Sequence, residues 1–522
     1  MPRIVYLPLD ERPCNAKFPL QIAAASDLTL VAPPQSMLGA KKRPADPDAV
    51  AGWLLDATAG SDTLIVSLDM LVYGGIVPSR LHYLSLEQCE KRLQTAAECK
   101  RRNPALRVYA FNLIMRAPAY SSSDEEPDYY AAYGAELARN GWLSDKEDRG
   151  GLTEAERLEW DRLLARLPQQ VLRDFTERRR INAAVNHMAV DMAKKGIIDF
   201  LIIPLDDNAE YGYSSSEQRR LLLRIAEDRL LDRVHMYPGA DEVGSTLLAR
   251  VFCDINNYRP DIFVRYSSTN GPFVIPKYED RSLGESVKCQ IAAAGGFLCD
   301  HASEADFVLM VHSPPVGQHA MAETTDKLEE RHAAYFSEVN LREFAQAIRR
   351  YADKGAMVAL ADVAVCNGAD EPLLKLLSDT GLLRKLSAYA GWNTSGNTLG
   401  TVIAHAIVES YYRKAEAAAP SGGARAANSE SFFISRLLED WGYQAIIRAE
   451  IARDHLEKLG GNYFDVSAVH GEVAGLIRSK MLAFIDRYLH DFRPERIRLE
   501  RVELPWRRMF EVGFDLSLAA ER

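Results

Sequence analysis

The sequence predicts an α/β fold of repeated βα units with parallel sheets. Short apolar, β-branched runs alternate with amphipathic segments along most of the chain. The run at 201–205 has the length and composition of a strand buried on both faces of a parallel sheet. Polar residues then recur where such runs stop, the end at which open α/β sheets and α/β barrels place ligand chemistry. The strands suit two Rossmann-like lobes, with a TIM-like barrel as the alternative, plus a C-terminal helical part.

In chain order, strands are expected at 3–7, 28–31, 63–67, 107–113 and 198–205. Further strands are expected at 233–237, 261–266, 306–311, 357–361 and 386–390. Helical patterns fill 47–58 and 85–102. Residues 118–195 separate two strands by far more than one crossover helix needs. They open on the polar loop 121–127 and read as a helical insertion placed to cover the site. The stretch 415–430 is small, polar and turn-rich, so a flexible connection is expected there. Helices at 431–458 and 466–490 and a strand pair at 496–503 and 509–516 close the chain. The domains read as 1–300, 301–415 and 431–522.

Bulk properties narrow the function classes. The 522 residues, 47% hydrophobic and 26% charged, are those of a soluble globular protein of several domains. The net charge of −10 carries no long run of one sign, which argues against nucleic-acid or anionic-membrane partners. The N-terminus enters a strand directly without a signal-peptide pattern, and a cytoplasmic location is expected. Seven scattered cysteines without CxxC spacing read as reduced thiols.

The sharpest motif is Asp206–Asp207, two adjacent carboxylates ending an apolar strand. Neighbouring carboxylates repel, so one pKa should rise, and a raised and a normal carboxyl together supply an acid and an orienting base. The structural alternative is a helix start capped by Asp207. Other strand ends carry Asp10 and Arg12, Asp69, Asn112 and Arg116, and Asp241 and Glu242. Any single tip is as easily a helix cap, but several on one face point to a ligand. Arg178, Asn182 and Asn186 stand at i, i+4 and i+8. They form either a solvated stripe or an arginine and two amides lining a pocket. Trp392, with Asn393 and Asn397 in a glycine-bounded turn, suits a sugar ring and its hydroxyls, or a core tryptophan and a capping amide. His312 to Pro315 marks a candidate pocket edge. No Walker loop, GxGxxG, GxSxG or HExxH occurs.

Five blocks resemble, in order, a bacterial domain family of unknown function, number four-one-two-seven. They are Pro8 to Pro13, Leu205 to Gly212, Pro238 to Glu242, Gly391 to Asn397, and Leu504 to Arg507. The resemblance spans nearly the whole chain and implies no activity. Asp206–Asp207 alone is similar to the acidic pair of N-acetylhexosaminidases that use the substrate's acetamido group. That similarity implies one acid/base and one orienting carboxylate.

The expected function is glycoside hydrolysis of a small or amino-sugar glycoside. Asp207 is the acid/base and Asp206 the orienting or charge-stabilising group. Asp10, Arg12, Asp69, Asn393 and Trp392 would bind substrate, with Asp241 and Glu242 in reserve. No cofactor is expected. The alternatives are a hydrolase holding a metal on Asp10, Asp69, Asp206 and Asp207, or a non-catalytic two-lobed sugar-binding protein.

Overall fold

The computed structural model describes residues 2–418 and 423–519. The fold is α/β, with parallel sheets of six and five strands and an antiparallel pair near the C-terminus. The chain divides into two compact units. The first comprises Met1–Glu11, Leu28–Gly244 and Tyr278–Arg281, and the second Arg12–Asp27, Ser245–Lys277 and Ser282–Arg522.

The first unit holds β1 (Arg3–Leu7), β2 (Thr29–Val31), β3 (Thr63–Ser67), β4 (Arg107–Phe111), β5 (Phe200–Leu205) and β6 (Val234–Pro238). Every residue of β3 and β5 is buried, in keeping with the apolar centre of β3 and the unbroken apolar run of β5. The strand order is β2-β1-β3-β4-β5-β6. The chain steps outward from β1 to β2, then returns past β1 to β3 and continues one way. That reversal creates a topological switch point between the C-terminal ends of β1 and β3.

The insertion between β4 and β5 is three helices, Tyr130–Gly150, Glu154–Arg166 and Gln169–Lys194. They close a small core of their own from Met115, Tyr130, Leu137, Leu163, Leu167 and Phe175. A capping box between Thr153 and Glu156 starts the second helix.

The second unit holds β7 (Asp261–Tyr266), β8 (Phe297–Leu298), β9 (Phe307–His312), β10 (Val358–Asp362) and β11 (Ala388–Ala390). Its order is β11-β10-β9-β7-β8. Counted from β8, this is the same pattern as in the first sheet, with a switch point between β7 and β9. The strands β12 (Ile497–Glu503) and β13 (Gly513–Leu518) pair antiparallel. One hydrophobic core joins Val308, Met310, Val358 and Leu360 of the sheet to Trp441, Ile477 and Phe484 of the C-terminal helices.

Four expectations change. Both sheets are open, so no barrel forms. The change of sheet comes between β6 and β7, because β7 pairs with β9, and not near residue 300. The expected domains 301–415 and 431–522 share one core. The alanine-rich stretch at 415–430 is largely helical. The helix Ser395–Ala418 covers its start and the helix Ala424–Arg436 begins within it, as alanine propensity favours. Residues 419–422 lie outside the described residues. The two-residue β8 is too short to leave a sequence signal.

One backbone position can be tested directly. Gly74 ends the helix Leu68–Tyr73 with φ at +87°, and a Cβ there would lie 2.7 Å from the Ala45 nitrogen. Gly74→Ala should cost about 2 kcal/mol or more in denaturant unfolding, from strain and overpacking together. A variant as stable as the wild type would show that the 73–75 turn adapts freely.

Candidate active site

The C-terminal edge of the first sheet gathers polar residues from successive strands. Beyond β1 comes the buried Asp10. At β3 the Ser67 hydroxyl accepts the Met70 N–H (3.1 Å) and starts a helix whose first turn carries Asp69. After β4 the chain stays paired for one more step. The Ile114 N–H donates to the Pro204 carbonyl (3.0 Å), which draws the segment bearing Asn112 and Arg116 along the end of β5. Asp206 and Asp207 come directly after β5.

Two arginines, Arg80 buried and Arg116 largely so, organise this edge. Arg80 reaches Asp206 (2.7 Å), Glu125 (2.9 Å) and Glu126 (3.4 Å). Arg116 reaches Glu126 (2.9 Å), Glu125 (3.1 Å) and Asp207 (3.1 Å). Each guanidinium thus grips both glutamates of one loop and one of the two adjacent aspartates. Arg80, Glu125 and Glu126 were not expected as site residues. Arg80 stands 13 positions beyond the end of β3, and the glutamates lie in a loop whose composition reads as solvated. The polar cluster at 121–127 was the one available signal.

The stripe Arg178, Asn182 and Asn186 is neither solvated nor open to a ligand. Arg178 donates to the His82 carbonyl (2.9 Å), the Tyr129 hydroxyl (3.1 Å) and Asp174 (2.9 Å). Asn182 donates to the Ser79 carbonyl (2.9 Å) and pairs with His82 Nε2 (2.7 Å). Burial, followed by the charge of Arg178, pushes His82 down to about 4, so its ring is neutral at pH 7. The Leu84 N–H donates to Nδ1 (3.2 Å), so Nε2 carries the hydrogen given to Asn182. Asn186 donates to Asn112 Oδ1 (2.7 Å) and the Leu113 carbonyl (3.1 Å). One helix face therefore fixes the segments bearing Arg80 and Asn112. Its neighbour Arg179 holds the Arg116 carbonyl (3.0 Å).

The carboxyls differ in character. Burial raises Asp207 to about 6, against the pull of Arg116, and the charge of Asp206 adds to the rise. Its backbone is left-handed, with φ at +40°, an uncommon state that Asp tolerates better than most residues. Its side chain is 21% exposed against 10% for Asp206, so Asp207 is the more accessible of the two. Burial raises Asp69 to about 7, although the Leu113 N–H (2.9 Å) and the Asn112 side chain hydrogen-bond to it. Tyr120, 47% exposed, feels the charges of Arg116 and Asp207 and adds an aromatic face not anticipated from the sequence.

The remaining expected residues are placed differently. Glu242 turns back to accept the Ala240 N–H (2.9 Å), and a Cβ on Gly239 would strike its carboxylate. Asp241 is buried beside it in the chain. Arg12, Trp392, Asn393 and Asn397 belong to the second unit. There Arg12, Trp392 and Asn393 do converge, on a cavity of about 20 Å³ that they share with Glu439 and Glu511. That space admits a water molecule, not a sugar. Trp392 is a core residue, edge-on to Phe18 with its indole N–H on Thr401 (3.2 Å). Asn397 Oδ1 accepts from the Asn393 side-chain amide (2.9 Å) and the Thr394 hydroxyl (2.7 Å), closing its own turn.

For a metal, the donor set does not fit. Asp206 and Asp207 direct oxygens at guanidinium groups. Among the described residues no three His, Cys, Asp or Glu are grouped to hold an ion. No helix among them is long and apolar enough to cross a membrane.

Two variants probe this electrostatic balance. Arg80→Met strands Asp206 and Glu126 in the interior and should cost roughly 3–5 kcal/mol, read by chemical denaturation. A near-neutral change would mean that these acids are fully solvated. Asp69 keeps its proton in the fold up to about 7, whereas the unfolded value is near 3.8. The folded state thus binds more protons between those limits, and wild-type stability falls as pH rises through them. Asp69→Asn stands in for the protonated acid at every pH. It should match the wild type near pH 4 and melt higher at pH 8, and an equal difference at both pH values would contradict a raised Asp69.

A search of the curated proteins finds no match to this chain. A family model described as "Protein of unknown function (DUF4127)" matches residues 4–515. The match takes in all five motif blocks and both parallel sheets, and the chain belongs to that family.

Proposed function

We propose that the protein is a glycoside hydrolase acting on a small or amino-sugar glycoside, with Asp207 as its acid/base. The observation that carries this reading is the inequality of two adjacent carboxyls. Asp207 is raised to about 6, held in a left-handed backbone, and the more exposed. Asp206 is more enclosed and clamped by Arg80. Neighbouring carboxyls pushed into different environments are how one site obtains both a proton donor and a fixed negative charge.

In this reading the protonated Asp207 gives its hydrogen to the glycosidic oxygen as the bond to the anomeric carbon breaks. Asp206, oriented by Arg80, faces the positive charge that develops on the sugar or aligns an acetamido group. Water adds to the anomeric carbon, and its proton returns to Asp207. Tyr120 offers a ring face for the sugar. The arginines and Glu125–Glu126 hold the pair in place.

The test is turnover of a panel of aryl glycosides, including 2-acetamido-2-deoxy sugars. Asp207→Asn should lower kcat by roughly 10²–10⁴-fold while leaving the melting temperature within a few degrees. Because the acid form is the active one, kcat should decline as pH rises above about 6. Undiminished turnover by Asp207→Asn would overturn the assignment. Tight sugar binding with no product by wild type would instead make this a binding protein.

A further inference from the structure

The second sheet has a switch point of its own, between β7 and β9, and the glycoside reading makes no use of it. Ser267 comes directly after β7 and His312 ends β9. Ser267 Oγ lies 2.9 Å from His312 Nδ1, and His312 Nε2 lies 2.7 Å from Asp370. Asp370 is fully buried and also receives the Tyr335 hydroxyl (2.6 Å) and the Arg331 guanidinium.

These contacts fix the hydrogens. Burial by itself would raise Asp370. The hydrogen bonds of His312 and Tyr335, with the charge of Arg331, oppose it and hold the carboxyl below its usual range. A carboxylate can only accept, so His312 Nε2 carries a hydrogen. In the neutral ring Nδ1 is then the bare, basic nitrogen, and the hydrogen between it and Ser267 is the serine's own. The Ser313 N–H donates to the same hydroxyl oxygen (2.9 Å), which favours negative charge there. Solvent reaches Ser267, whereas His312 and Asp370 are wholly enclosed. Of the three residues, Ser267 alone is partly exposed.

We propose that Ser267, His312 and Asp370 form a nucleophile, base and carboxylate for acyl transfer from small carboxylic esters. Ser267 Oγ would bond to the ester carbonyl carbon as its hydrogen passes to His312 Nδ1 and the carbonyl electron pair moves to oxygen. Collapse of that adduct breaks the bond to the alcohol, which leaves with the hydrogen from Nδ1. Water then gives a hydrogen to Nδ1 and attacks the acyl carbon. Ser267 departs, taking the hydrogen back. The arrangement meets the geometric criterion for such a constellation, and its position at a switch point is where α/β sheets bind ligands. Space beside it is restricted, since a Cβ on Gly271 would lie 2.2 Å from Ser313 Oγ. That restriction favours a small acyl group.

The experiment uses the full chain with phenylmethylsulfonyl fluoride and p-nitrophenyl acetate. A single sulfonyl adduct mapping to Ser267 is expected, with a burst of about one p-nitrophenolate per chain. Ser267→Ala should lose both while keeping its melting curve. His312→Gln should slow the burst by roughly 100-fold or more. Absence of an adduct on Ser267, or a burst unchanged in Ser267→Ala, would overturn the proposal even if His312→Gln fails to fold. The adduct is read whether or not any glycoside is turned over, so the two proposals fail separately.

Discussion

The arrangement of the first unit depends on the shared hold of Arg80 and Arg116 on Glu125 and Glu126. Two enclosed, neighbouring guanidiniums repel, and so do four carboxylates. Interleaved, each charge meets opposite charges at hydrogen-bond distance. Removing either arginine leaves carboxylates uncompensated in a poorly solvated interior. This interdependence fixes where Asp206 and Asp207 point. It also explains how two adjacent acids remain folded beside one another, and why the loop at 121–127 is structural despite its polar composition.

The same logic explains the helix Gln169–Lys194. Its buried polar stripe would be costly if unpaired. Instead Arg178, Asn182 and Asn186 hold backbone carbonyls and side chains of the segments beyond β3 and β4. The insertion therefore contributes through anchoring. Asn182 and Asn186 weaken the helix intrinsically, yet each satisfies groups that no apolar residue could.

Much of this was legible in sequence, and the limits have physical causes. Strand ends are local features. A β-branched run that stops at Asp, as at Asp206, states both its structure and the edge at which it stops. The ten longer parallel strands were read that way, within a residue or two at most ends. Arg80, Glu125 and Glu126 acquire their role only when distant segments meet, which no local pattern records. Trp392 failed for the opposite reason. Its glycine-flanked turn looked open, but Gly391 approaches Tyr389 and Asp362 closely, and the tryptophan packs inward. The domain boundary was misplaced because β7 resembles any buried strand, and its choice of partner is a tertiary event.

Two sheets with the same strand order carry different polar residues just past their strands. In the first, the switch point between β1 and β3 is flanked by Asp10 and Asp69, while the arginine-bound pair sits farther along at β5. In the second, the end of β5 has its counterpart in β11, whose continuation is the enclosed Gly391–Trp392 turn. Polar density there shifts to the switch point itself, with Ser267, His312 and Asp370. A repeated topology thus supplies positions, and the residues at each strand end decide which position is used. The acidic edge keeps protons on carboxyls through burial, at Asp69 and Asp207. The histidine edge does the reverse, stripping a carboxyl of its proton through hydrogen bonds and charge at Asp370. The same functional group is thus treated in opposite ways at the two edges, by burial at the first and by hydrogen-bond donors and a cation at the second.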